Sequence, residues 1–273
     1  MVVAAKKMHT ASAIHLKRRL GAFTTAMCLA LAPLPALGQT SSTKLSEGWL
    51  NSLSSAPAIV WSHAFALRDN TAATVDSKRR RLIAELETLI TSARLNNGGA
   101  SADGLTVWRQ RLAEDKSLPA RTPGRFDLPW LGAHPRQDPP LAKVALWGSC
   151  KPPAWVEIWH LKGVTRLPWQ AGMTLDEALK QLPPDAYASA DNAWLITPTG
   201  KQHRRGIAAW NAEPTPLTPG SRVTLALPDT KRSLSGLLSS RSSTASRLIN
   251  QRLPTYLATR LPSDDCTIWR KDT

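Results

Sequence analysis

The sequence predicts an α+β protein, because stretches with the spacing of β-strands alternate with stretches that have the spacing of amphipathic helices. After Pro219, apolar side chains alternate with polar neighbours, which is the period of a half-buried strand: Val223, Leu225 and Leu227. Upstream, Thr174 and Glu177 have the spacing of a helix capping box. The helix that they begin has one apolar face, formed by Leu175, Ala178, Leu179 and Leu182.

The order of these elements predicts a β-grasp domain over residues 142–230. Strand signals at residues 144–147 and 155–159 precede the capped helix, and a strand, a turn at Gly200 and two further strands follow it. Two strands, one crossing helix and then two or three more strands are the order of a β-grasp fold.

A helical hairpin is predicted upstream of this domain. A helix that begins at Asp76 and ends at Asn97-Gly98-Gly99 has one apolar stripe, formed by Leu82, Leu86, Leu89, Ile90 and Ala93. A second helix follows, with Leu105, Trp108 and Leu112 on one face. The proline-rich segment 129–141 then marks a domain boundary.

A C-terminal amphipathic helix and tail are predicted within residues 231–273. Residues 231–243 are rich in serine and predict a loose segment, after which apolar residues from Leu248 to Leu261 recur with a helical period opposite arginines. Pro254 is expected to kink or divide this helix. Its position after a loose segment favours a peripheral, detachable element.

Residues 1–38 have the pattern of a signal peptide. Five basic residues without an acid precede an apolar run from Leu20 to about Pro35, and Ala36-Leu37-Gly38 supplies small residues for cleavage after Gly38. A membrane anchor is disfavoured because the run is shorter than the ~20 residues of a span. A lipoprotein would use Cys28, but Met27 stands where a small residue is needed. We therefore expect a periplasmic protein without a transmembrane segment in its mature chain.

The chain is strongly basic, with a formal net charge of +15. The signal peptide carries five of the 35 basic residues and none of the 20 acids, which leaves 30 against 20 and a mature charge of +10. For an exported protein this charge favours anionic glycans, lipid headgroups or another protein over nucleic acid. Solvated charged surfaces without a specific partner are an equally simple interpretation.

Two cysteines, Cys150 and Cys266, remain after cleavage. An even pair in an oxidising compartment favours a disulfide. The 11 tryptophans of the chain invite a comparison with sugar-stacking platforms, although most have the spacing of core residues.

Motifs that carry chemistry are absent from the sequence. It contains no GxSxG, HExxH, CxxC or glycine-rich phosphate loop, so we expect no enzyme, no metal and no cofactor. Three carboxylate pairs have the positions of helix caps, helix flanks and tails rather than of catalytic pairs: Asp176 with Glu177, Asp264 with Asp265, and Glu85 with Glu87.

Several segments together resemble a known family. They are Val60-Trp61, Pro123-Gly124-Arg125-Phe126, Gly200-Lys201, Ile207-Ala208-Ala209-Trp210-Asn211, Pro219-Gly220-Ser221-Arg222-Val223, and Asn250 on the C-terminal helix. In their order and spacing, over residues 45–262, they resemble the capsule biosynthesis GfcC family. The resemblance implies periplasmic proteins of capsule and exopolysaccharide loci, related to polysaccharide export protein domains.

The resemblance also implies a fold and a site. It implies two β-grasp domains, the first over residues 39–141 with the helical hairpin inserted. The characteristic arginine of the family, in a cavity next to the hairpin, falls on Arg125, which either binds an acidic ligand or fixes the hairpin to the sheet.

The resulting prediction is a non-enzymatic accessory protein of capsule or exopolysaccharide biosynthesis and export. It would bind an acidic polysaccharide or an outer-membrane polysaccharide export protein. The alternatives are an exported lyase or glycosidase, whose two carboxylates would face each other across a groove, and a structural envelope protein that binds another protein.

Overall fold

The computed structural model describes residues 43–54, 58–96, 98–228 and 236–271. The predicted signal peptide with its cleavage after Gly38, the Cys28 alternative and the first part of the predicted loose segment lie outside the described residues. Among the residues that are described, no helix is both long and apolar enough to cross a membrane.

Helices and strands are mixed along the described chain, which confirms the predicted α+β class. The helices are α1 (Leu45–Leu53), α2 (Asp69–Leu95), α3 (Gly99–Glu114), α4 (Leu128–Ala133), α5 (Leu175–Lys180) and α6 (Gly236–Leu257). The strands are β1 (Ala64–Arg68), β2 (Val144–Cys150), β3 (Trp155–His160), β4 (Gly163–Pro168), β5 (Asn192–Ile196), β6 (Gln202–Gly206), β7 (Arg222–Leu225) and β8 (Cys266–Arg270).

Five strands form one sheet in the order β4-β3-β7-β5-β6. The hairpins β3–β4 and β5–β6 are antiparallel, and the neighbouring strands β3 and β7 are parallel. Helix α5 lies between the two hairpins in the sequence and packs in an apolar cluster with strand residues such as Val156 and Val223. The capping box at its start is present: the Glu177 amide donates to Thr174 Oγ1, and the Thr174 amide donates to Glu177 Oε2.

The other sheet joins strands that are far apart in sequence. Its order is β1-β2-β8, with β2 antiparallel to both neighbours. The predicted boundary after residue 141 places β2 in the second domain and β8 in the C-terminal tail. In the structure, both strands belong to the same sheet as β1, which lies in the predicted first domain. Cys150 of β2 stands opposite Cys266 of β8, and their Sγ atoms are 2.07 Å apart in a disulfide. The division into two β-grasp domains stays a prediction.

The C-terminal helix α6 is part of the core rather than peripheral. Its buried stripe packs with the hairpin α2–α3 in one apolar cluster, which includes Leu86, Leu112, Ile249, Leu253, Tyr256 and Leu257. The helix also begins at Gly236, inside the segment predicted to be loose, and continues undivided through Pro254. The sequence pattern showed an apolar stripe but not the surface that covers it.

The hairpin is fixed to the five-stranded sheet at the β3–β4 turn. Trp108 of α3 donates its indole N–H to the carbonyl oxygens of His160 and Gly163, at 3.0 and 2.9 Å. One turn earlier, a Cβ on Gly104 would lie 2.0 Å from the carbonyl oxygen of Leu161. Glycine at this position therefore allows the helix backbone to approach the turn.

Candidate functional site

Arg125 is the arginine that the sequence resemblance suggests as a ligand-binding residue, and its guanidinium is held by a carboxylate. Its Nε and Nη2 atoms donate to Asp127 Oδ2 and Oδ1, both at 2.9 Å. Asp127 is buried and also accepts the amide of Trp130, which makes it the N-cap of α4. The hydrogen bond to Asp127 raises the pKa of Arg125 above its ordinary value. The Arg125 side chain remains 53% exposed.

Arg125 lines an open groove of about 780 Å³. The groove is built from the end of β1, the Pro123–Phe126 turn, the 136–143 loop and the β5–β6 turn. Five cationic side chains line it: Arg68, Arg125, Arg136, Lys143 and Lys201. Residues that are far apart in sequence thus form one basic surface.

Most of these cations have no acidic partner. Among the described residues, the only one of the five that forms an ion pair is Arg125. The acid that lines the groove, Asp138, is buried and accepts hydrogen bonds from the Ser46 hydroxyl at 2.6 Å and the Ser46 amide at 3.3 Å. The groove therefore has a surplus of positive charge that is available to an anionic ligand.

The two walls of the groove are joined through the backbone. The Gly124 amide donates to the Thr199 carbonyl oxygen at 2.9 Å. Gly200 has a φ of +80°, and a Cβ there would lie 2.8 Å from the Ala258 carbonyl oxygen and 3.1 Å from Pro123. This close packing fixes the turn that carries Lys201 against the turn that carries Arg125.

A second, smaller cavity of about 140 Å³ lies beside the helical hairpin. Arg125 does not line it. Its arginines are instead Arg111, Arg166, Arg222 and Arg260, together with the acids Asp115, Glu157 and Asp264. The cavity next to the hairpin that the resemblance implies for Arg125 is thus lined by other arginines in this structure.

Glu157 is one of the acids that line this cavity and is 3% exposed. Its Oε1 accepts from Trp159 Nε1 at 2.9 Å and Arg222 Nε at 3.2 Å, and its Oε2 accepts from Arg166 Nε at 3.0 Å. Burial opposes ionisation, but the charge of Arg222 and the hydrogen bonds from Trp159 and Arg166 outweigh it, so the pKa of Glu157 is lowered.

Asp115 and Arg121 are further buried charges that the sequence pattern did not single out. Asp115 Oδ2 accepts from the Tyr256 hydroxyl at 3.2 Å and lies 3.5 Å from Arg260 Nε, and burial raises the pKa of Asp115. Arg121 is 1% exposed and donates to the carbonyl oxygens of Ala258 and Thr197. Burial, with repulsion from Arg222 and Arg260, lowers the pKa of Arg121 to about 9.

None of the three carboxylate pairs considered in the sequence analysis lines the basic groove or the small cavity as a pair. Glu177 caps α5 and Asp176 pairs with Lys180. In the described part of the chain, no group of three or more His, Cys, Asp or Glu side chains is placed to hold a metal ion. The candidate site is therefore a basic groove rather than a constellation of acids.

Comparison with known families matches one segment within the second half of the chain. The matched model is described as capsule biosynthesis GfcC C-terminal and covers residues 163–262, from β4 to the turn after α6. Lys201 of the groove and three of the four cavity arginines lie inside this segment, whereas Arg125 lies outside it. The match confirms the resemblance to the GfcC capsule biosynthesis family and indicates a role in capsule biosynthesis.

Proposed function

We propose that this protein is a periplasmic, non-enzymatic accessory protein of capsule or exopolysaccharide biosynthesis and export, and that it holds an acidic polysaccharide in the basic groove. The family match supports the pathway. The predicted signal peptide supports the compartment, and the groove supports the ligand.

The observation that carries the proposal is the set of unpaired cations in the groove. Arg68, Arg136, Lys143 and Lys201 line one cleft, and none of them forms an ion pair within the described ranges. A cleft with charge of one sign concentrates ligands of the opposite charge. Guanidinium groups also match the planar geometry of carboxylates. A polymer that carries a carboxylate on its repeat unit can contact several of these cations at once.

The acids of the groove support binding rather than hydrolysis. A glycosidase needs two carboxyl groups roughly 5–10 Å apart on either side of the bond that it breaks. Asp138, the acid in the groove lining, is held by Ser46. Asp127, which lies beside the groove and does not line it, is engaged by Arg125 and by the first turn of α4.

Binding of polygalacturonate, a polyuronate, and of neutral dextran by the mature protein tests the proposal. The test variant combines Arg136→Gln, Lys143→Gln and Lys201→Gln. We expect wild type to bind polygalacturonate in a salt-sensitive manner and dextran not at all. If each exposed contact contributes about 0.5–1 kcal/mol, the triple variant should bind roughly 10- to 150-fold more weakly.

A matched control removes the same charge elsewhere. Lys78→Gln, Arg94→Gln and Lys116→Gln change exposed cations of the hairpin region that do not line the groove. This variant should retain most of the affinity and support capsule formation in a deletion strain, whereas the groove variant should not. Equal losses in both variants would show that net charge, not the groove, determines binding.

Contact with the export machinery is a second candidate, and one surface favours it. Trp210 is 77% exposed, the most exposed large apolar side chain in the described chain. It follows β6, which is an edge strand of the five-stranded sheet. Trp210→Ala should leave polygalacturonate affinity unchanged. A loss of capsule export in that variant would support a protein contact, and normal export would contradict it.

A further inference from the structure

The small cavity beside the hairpin is lined by four arginines and three acids, so its lining has a surplus of positive charge. Four guanidinium groups line it, those of Arg111, Arg166, Arg222 and Arg260. Arg111 and Arg166 are about one-third exposed, at 33% and 32%, whereas Arg222 and Arg260 are 8% and 5% exposed. Two cations therefore lie deep in the cavity and two lie nearer its opening.

Arg260 is the least satisfied of the four. Its Nε lies 3.5 Å from Asp115 Oδ2, at the long end of an ion pair. Its two Nη atoms donate no hydrogen bond to a described residue, and neither is among the fully enclosed atoms without a partner. These donors are therefore free to bind a group that enters the cavity.

Each of the three acids of the cavity accepts a hydrogen bond from another group, and Asp264 Oδ2 accepts from Arg166 Nη1 at 2.9 Å. Both oxygens of Glu157 accept hydrogen bonds, from Trp159, Arg222 and Arg166. Asp115 Oδ2 also accepts the Tyr256 hydroxyl. Arg222 donates Nε to Glu157 and Nη2 to the Leu261 carbonyl oxygen, which leaves its Nη1 without an acceptor in the described chain.

We infer that this cavity binds one small oxyanion, a carboxylate, sulfate or phosphate group, through Arg260 and Arg222. Arg111 and Arg166 lie on the path of entry, because both also line the adjoining open cleft of about 340 Å³. The bound group would accept hydrogen bonds from the free Nη atoms of the two buried arginines. Charge-assisted bonds of this kind are the strong ones in proteins.

The size of the cavity limits what can enter it. One water molecule needs roughly 10–15 Å³ of cavity volume. The cavity volume of about 140 Å³ therefore accommodates an oxyanion with a few waters but not a length of polymer. The cavity shares no lining residue with the basic groove, so its ligand does not depend on the function proposed for that groove.

Isothermal titration of the mature protein with sodium glucuronate, sulfate and phosphate, at constant ionic strength, tests this inference. We expect one saturable site for at least one of them. Tighter binding of glucuronate would identify the carboxylate of an acidic sugar as the ligand, and tighter binding of sulfate or phosphate would identify an inorganic-type oxyanion. No saturable binding of any of the three would overturn the inference.

Two variants locate the site. Arg260→Lys keeps the charge and removes the planar fork, and should weaken binding at least tenfold. Arg111→Gln, at the more exposed opening, serves the same purpose if Arg260→Lys does not fold, and should also weaken binding. The groove variant Arg136→Gln/Lys143→Gln/Lys201→Gln should bind the oxyanion as wild type does. Loss in the groove variant with retention in the arginine variants would place the anion in the groove and refute the cavity site.

Discussion

Replacing Gly104 with alanine tests how the helical hairpin is held on the five-stranded sheet. The new Cβ would lie 2.0 Å from the Leu161 carbonyl oxygen and 2.8 Å from two backbone carbons, so the backbone itself must move. Because α3 would have to retreat from the β3–β4 turn, the two hydrogen bonds from Trp108 Nε1 would lengthen or break.

The expected loss follows from three contributions. Overpacking costs about 1–3 kcal/mol, and losing the hydrogen bond of the Trp108 indole, whose single N–H is shared between two carbonyl oxygens, costs about 1 kcal/mol. The better helix propensity of alanine offsets about 1 kcal/mol. The free energy of unfolding should therefore fall by about 1–3 kcal/mol, which lowers the melting temperature by roughly 2–12 °C for a domain of this size.

Gly99→Ala is the matched control, because Gly99 is in the same helix and the Cβ that alanine would add there meets nothing within 4 Å. It should be neutral or stabilising by up to about 1 kcal/mol. Differential scanning calorimetry of both variants measures the difference. If Gly104→Ala melts within about 2 °C of wild type, α3 does not contact the turn as described and the reasoning is refuted.

Three further predictions follow from the core. Replacing Cys150 and Cys266 with serine should lower stability by at most about 4–5 kcal/mol, the entropic limit for a loop of 116 residues; two free thiols in oxidised wild-type protein would contradict the disulfide. Deleting residues 247–273 should abolish cooperative melting, because it removes the buried stripe of α6 and strand β8; a truncated protein with native near-UV circular dichroism would contradict this. Burial lowers the pKa of His63 and of His160 below 6.5. Because the unfolded state then binds more protons, the free energy of unfolding should fall as the pH falls from 6.5 through the folded pKa values. His160→Gln should make the free energy of unfolding less dependent on pH in this range, and an unchanged pH dependence would contradict the prediction.

Local features of the fold could be predicted from the sequence because they depend on neighbouring residues. The capping box at Thr174 and Glu177 and the hairpin stripe containing Leu82 and Leu86 are visible as spacings of three or four residues. The apolar stripe of α6 was visible as well. Its burial against the hairpin was not, because an apolar face indicates that something covers it without indicating what does.

The long-range arrangement could not be predicted in this way. Strand β2 pairs with β1 and β8, which are separated from it by the hairpin on one side and by the five-stranded sheet on the other. The cavity arginines, from Arg111 to Arg260, are brought together only by the tertiary fold. Arg125 was singled out by resemblance, and only the structure shows that Asp127 holds its guanidinium.

Hydrogen–deuterium exchange with and without an oligogalacturonate tests most directly whether the basic groove binds an acidic polysaccharide. Both walls should be protected, so exchange should slow in residues 123–143 and at the β5–β6 turn around Lys201. The same segments should show no protection in the Arg136→Gln/Lys143→Gln/Lys201→Gln variant. Protection confined to other segments, or unchanged exchange at a saturating ligand concentration, would contradict the account.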